Sequence, residues 1–82
     1  KMKKVLKFAA TWCQPCKNLS ETMKDVETDI VIEEIDIDED DNKAIEFNVR
    51  SVPTLVMLED DKEVNRIMGN QSKQELEVFL NG

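Results

Sequence analysis

The chain has no histidine and only two cysteines, and these two shortages narrow its chemistry at once. Two thiols without an imidazole leave a tetrahedral zinc site short of ligands; it would need carboxylates or a second copy of the chain. Two cysteines also fall short of the roughly four to eight that staple a small secreted protein. No stretch is long and apolar enough to span a bilayer. Residues 5–10 are too few for the core of a signal peptide and contain Lys7, so a cytoplasmic location is the expectation. Basic side chains are in deficit, 11 against 18 acidic for a net charge of −7, which gives no general attraction to nucleic acid or to an anionic membrane. With 82 residues there is room for one domain with a modest core and none for a separate substrate domain. Repeats, linkers and low-complexity segments are missing too, so residues 1–82 read as a single domain.

What the chain does contain is concentrated in Trp12-Cys13-Gln14-Pro15-Cys16-Lys17, between an apolar run and a helical pattern. Thiols two residues apart can close a small disulfide ring. If Cys16 lies in the first turn of a helix, Cys13 just before it meets the positive end of the helix, where a thiolate is favoured. Pro15 suits that first turn, where its missing N–H is no loss. Cys13 is then the better placed thiol, and Cys16, one turn in, the more buried one. The pair points to reversible dithiol chemistry, with metal binding as the alternative.

Residues 4–9 read as a first strand, interrupted by Lys7, whose plainest reading is an exposed side chain facing an edge. From Gln14 the spacing of Leu19, Met23 and Val26 predicts a helix to about Glu27. Residues 30–38 form a second strand with Ile32, Glu34, Asp36 and Asp38 on one face, a face acidic enough to be only partly covered. Glu39, Asp40 and Asp41 read as a solvated loop and helix start rather than a calcium loop, which would need a central glycine. A short helix over 42–47 offers Ala44, Ile45 and Phe47 to the core. Pro53 heads a strand or sits in a cis turn. Residues 55–58 and 64–68 pair as a hairpin across Glu59-Asp60-Asp61-Lys62, Gly69 ends the second of these strands, and Ser72-Lys73-Gln74-Glu75 is a capping box opening a last helix with Leu76, Phe79 and Leu80 on its inner face. The order β-α-β-α-β-β-α implies an α/β fold with a parallel pair first and a hairpin after it.

With these residues in order, the chain resembles the thioredoxin family over nearly its whole length. The matching stretches are residues 8–17, Ile35-Asp36-Ile37-Asp38, Val49-Arg50-Ser51-Val52-Pro53-Thr54-Leu55, and Gly69 ahead of the Ser72 helix. The resemblance implies a central four-stranded mixed sheet with helices on both faces. It makes Cys13 the nucleophile that attacks a target disulfide and Cys16 the thiol that resolves the mixed disulfide. It makes Pro53 a cis-proline, and Trp12, Gln14, Pro15, Val52, Pro53 and Gly69 a substrate-docking surface. It further implies a monomer with no bound cofactor and no metal, supplied with electrons by a thioredoxin reductase-like flavoprotein using NADPH, and acting on disulfide-containing proteins. Lys17 reads as a solvated helix charge.

The departures from the family pattern matter as much. Full-length members begin with a further strand and helix not matched here, which implies four strands and a thinner cover over the acidic face of the second strand. Gln14 stands where the family has glycine. The family usually carries a buried Asp where this chain has Lys7 and a Lys where it has Glu34. The exchanged charges suggest a pair beside Cys16, with Glu34 in the acid-base role, against two independently solvated side chains. A glutathione-linked, glutaredoxin-like reductase and a thioredoxin-fold binding or adaptor module stand as alternatives.

Overall fold

The computed structural model describes residues 2–82. The chain runs β1 (Lys3–Ala9), α1 (Gln14–Met23), β2 (Val31–Asp36), α2 (Asp41–Glu46), β3 (Thr54–Glu59), β4 (Lys62–Met68) and α3 (Lys73–Asn81). The strands form one mixed sheet in the order β2-β1-β3-β4. β1 runs parallel to β2 and antiparallel to β3, and β3 pairs antiparallel with β4.

Alternation along β1 builds two cores. Val5 points to the face covered by α1 and α3, where it packs with Leu19, Val26, Leu55, Met57, Leu76, Phe79 and Leu80. Leu6 and Phe8 point to the opposite face, where α2 supplies Ala44 and the segment after it Phe47 and Val49. Helices therefore cover both faces. Each fully buried side chain of this size stabilises the fold by about 1.5–3 kcal/mol relative to exposure.

Local signals set the ends of the elements. Asp40 caps α2 by accepting from the Lys43 N–H. Asp60 and Asp61 take positive φ values of 51° and 71°, the conformation of a two-residue hairpin turn between Glu59 and Lys62. Ser72 and Glu75 close the capping box on α3 in both directions.

Four expectations are corrected. α1 stops at Met23 rather than near Glu27, because the Asp25 and Val26 N–H groups bond to Thr22 and Met23 in tightened turns. Val26 still reaches the core from that turn, so the apolar spacing outlasts the helix. Ile45 is exposed, since α2 meets the sheet through Ala44 and Phe47 and the next residue along points about 100° away. Thin cover is not confined to the acidic face of β2: Val31 and Glu33 on the other face are exposed as well, although Ile35 beside them is buried, since β2 is an edge strand of this sheet. Lys7, finally, is buried at 3% exposure, since β1 is flanked by β2 and β3 and turns this residue under α1.

The capping box makes α3 sensitive to one substitution and to acid. Ser72→Ala removes the acceptor for the Glu75 N–H and is expected to destabilise the protein by about 1 kcal/mol in urea unfolding. The Ser72 backbone N–H, followed by its hydroxyl, holds the Glu75 carboxyl below its ordinary 4.5. That contribution is present above the ordinary value and lost as pH falls through the lowered one. Glu75→Gln should flatten this part of the acid dependence; an unchanged slope would refute the assignment.

Candidate active site

β1 ends at Ala9, and Ala10 turns the chain by accepting from the Cys13 N–H at 3.1 Å. Cys13 is the N-cap of α1, with extended backbone (φ −93°, ψ 105°), and its sulfur accepts from the Cys16 N–H at 3.2 Å. Pro15 occupies the first turn. Cys13 and Cys16 are joined as a disulfide with Cα atoms 5.3 Å apart, an ordinary span for such a bond.

The two cysteines are equally withdrawn, at 4% and 3% exposure, and pack with Ala9, Ala10, Ile37 and Val52. Cys16 is thus not the distinctly more buried thiol that its place one turn into the helix suggests; both sulfurs share one apolar nest. Gln14 and Pro15 lie exposed around them, as does Lys17, and Gln14 donates to Asn18 Oδ1 at 3.0 Å.

Across from the disulfide, the Val52–Pro53 peptide is cis and the Val52 carbonyl oxygen lies 3.8 Å from Cys13 Sγ. Pro53 is buried, while Val52 and Gly69 are half-buried. The Pro53 carbonyl accepts from the Gly69 N–H at 2.8 Å. Gly69 has φ +80°, a conformation that strains any residue with a Cβ, although no atom crowds the position. Cys13, Val52, Pro53 and Gly69 therefore form one continuous chain of contacts. Trp12 stands at the rim, 67% exposed, its indole N–H donating to Asp38 Oδ2 at 2.8 Å.

Behind Cys16 a cleft of about 400 Å³ is lined by Lys7, Ala9, Ala10, Thr11, Cys16, Lys17, Ser20, Glu34 and Asp36. The Lys7 ammonium donates to Ser20 Oγ and, at 3.2 Å, to Glu34 Oε1. The Ser20 hydroxyl donates on to the Cys16 carbonyl at 3.1 Å. Lys7 and Glu34 meet because they are register partners on β1 and β2. Two participants escaped the sequence reading. Ser20 lies four residues after Cys16 and so on its helix face, a spacing that could have marked it. Asp38 lies beyond the end of β2, and nothing in the sequence ties it to Trp12.

A disulfide that caps a helix from the end of a central strand, on a four-stranded mixed sheet, defines the class of thiol-disulfide oxidoreductases. The family model described as thioredoxin matches residues 1–82, and the chain belongs to the thioredoxin family. It is similar to a thioredoxin of Chlamydia caviae, 34% identical over 80 residues, covering 94% of this chain and 78% of the relative. A Staphylococcus haemolyticus thioredoxin is 35% identical over 81 residues, with the same two coverages, 94% and 78%. Among solved structures, a single-site mutant of the thioredoxin from Halobacterium salinarum superposes with a TM-score of 0.88 at 32% identity, covering 95% of this chain and 71% of that one.

Trp12 is the sole tryptophan and tyrosine is absent, so intrinsic fluorescence reports on this rim alone. Asp38→Ala is expected to free the indole and raise its quenching by acrylamide, with stability changed by no more than about 0.5 kcal/mol. Unchanged quenching would show that Asp38 does not hold the ring.

Proposed function

We propose that this protein is a protein-disulfide reductase of the thioredoxin type. The observation that carries the reading is Cys13 at the N-cap of α1, its sulfur on the Cys16 N–H and facing the Val52 carbonyl. Once the disulfide is reduced, the helix end favours a thiolate on Cys13. That thiolate attacks one sulfur of a target disulfide, forming a Cys13–target bond and expelling the other target sulfur as a thiolate that takes a proton from water. Cys16 then attacks Cys13 Sγ, closes the Cys13–Cys16 bond and releases the second target thiolate. Two electrons pass from the dithiol to the target.

Trp12, Gln14 and Pro15 on one side, and Val52 and Gly69 on the other, flank the cysteines and serve as the docking surface. Buried Pro53 acts by fixing the Val52 backbone toward the sulfur. Lys7 and Glu34 supply the charge pair beside the resolving thiol. By family likeness the oxidised form is recharged by an NADPH-dependent reductase, the protein needs no cofactor of its own, works as a monomer and resides in the cytoplasm. Among the described residues no helix is long and apolar enough to cross a membrane.

The test is turnover of a protein disulfide with NADPH and a thioredoxin reductase, in parallel with glutathione as donor. Cys13→Ser is expected to abolish reduction, and Cys16→Ser to accumulate a covalent adduct with the target that mass spectrometry detects. Turnover with glutathione alone would favour a glutaredoxin-like enzyme, and full activity of the Cys13→Ser variant would refute the reading.

A further inference from the structure

The buried charge behind the disulfide is a cation. Lys7 is 3% exposed, and two of its three N–H donors are taken by Ser20 Oγ and Glu34 Oε1. Glu34 is the outer partner, its side chain 66% exposed. The pair is therefore asymmetric, with a buried ammonium and an exposed carboxylate. Cys16 lines the same cleft as Lys7. The other charged groups facing that cleft are Glu34 and Asp36 from β2 and Lys17 from α1, and Lys24, at the end of α1, borders the adjoining hollow that Lys7 shares with Ser20 and Glu34. A withdrawn cation favours the ionised form of a neighbouring thiol, since solvent does little to screen it.

We propose that Lys7 is a positioning residue for the resolving step, its buried ammonium favouring the Cys16 thiolate once Cys13 is bonded to the target in the mixed disulfide, while Ser20 and Glu34 fix the ammonium in place. This rests on Cys16 being the resolving thiol. Resolution then needs no general base. The Cys16 proton leaves to solvent through the cleft once the mixed disulfide has formed and Cys13 no longer carries charge. The thiolate attacks Cys13 Sγ, the Cys13–Cys16 bond forms, and the Cys13–target bond breaks with its electron pair on the target sulfur, which is protonated by water. Glu34 acts on the lysine rather than on the thiol.

A second consequence concerns redox poise. In the oxidised protein, Glu34 is the one anion bonded to Lys7 among the described residues. Reduction places a negative charge on the Cys13–Cys16 pair, one member of which lines this cleft, so the lysine stabilises the reduced form and makes the disulfide more oxidising.

The experiment is a pH titration of the Cys16 thiolate by its ultraviolet absorbance in the Cys13→Ser protein, alone and combined with Lys7→Met, Lys7→Arg or Glu34→Gln. Lys7→Met is expected to raise the midpoint by about one pH unit, roughly a tenfold loss of thiolate at neutral pH. Lys7→Arg should restore it. Glu34→Gln should leave the midpoint unchanged or lower it, because the ammonium keeps its field. An unmoved midpoint in Lys7→Met, or a raised one in Glu34→Gln, would overturn the proposal. Should Lys7→Met fail to fold, Glu34→Gln decides alone by the same criterion. With both cysteines present, Lys7→Met is expected to shift the equilibrium with a dithiol buffer about tenfold toward the disulfide, or about 30 mV more negative; an unchanged constant would count against the proposal. Absence of disulfide-reductase turnover in the unaltered chain would remove the reductase reading and leave the titration interpretable by itself.

Discussion

β1 is hydrogen-bonded along both edges and covered on both faces, and this confinement sets the terms for the rest of the structure. A strand so placed has no solvent-facing side on which to hide a polar residue. Its apolar residues serve two cores: Val5 anchors α1 and α3, while Leu6 and Phe8 anchor α2. Its end at Ala9 sets where α1 begins, and hence where the Cys13 sulfur lies relative to the Val52 carbonyl. The active-site geometry follows from the central strand rather than from the short loop that carries the motif.

Lys7 is the exception that this confinement makes informative. A charge so deeply buried is tolerated only with partners, and its partners come from the two elements that frame the cleft: Ser20 from α1 and Glu34 from β2. Ser20 in turn grips the carbonyl of Cys16. The lysine is thus tied to the backbone of the cysteine it faces, so the distance between ammonium and thiol is governed by one helical turn. An exposed ion pair of the same composition, such as Lys24 with Glu21, has no comparable fixity and is worth little to stability or chemistry.

The sequence disclosed most of what local rules control. Strand alternation, the spacing of Leu76, Phe79 and Leu80, the Ser72-to-Glu75 box and the Asp60-Asp61 turn are each decided within a few residues, and they appear where expected. The cysteine motif and the proline ahead of β3 were legible for the same reason, with the cis form one of two readings left open. What escaped depends on neighbours distant in sequence. Whether Lys7 is buried follows from β1 lying between β2 and β3, and the exposure of Val31 and Glu33 opposite the acidic face follows from the place of β2 at the edge of the sheet. Ile45 shows a subtler limit, since a six-residue helix has room for one contact stripe and two apolar neighbours cannot both occupy it. The bond between Trp12 and Asp38 joins residues 26 apart that share no pattern.

Charge is distributed so that location counts for more than the net value. The surplus of acidic groups lies largely at the surface, where salt screens it within about 8 Å at physiological ionic strength. Such a field can bias the approach of a basic partner but discriminates poorly once the partner has landed. The Lys7 side chain is buried and pinned by Ser20 and Glu34, so the effect proposed for it on Cys16 is expected to be screened less by salt than the surface field is. On the role proposed for Lys7, encounter and chemistry would thereby depend on charges of opposite sign. On that same role, the dispersed surface charge can vary with little effect on the thiol, whereas loss of the inner positive charge alters the reactivity of Cys16.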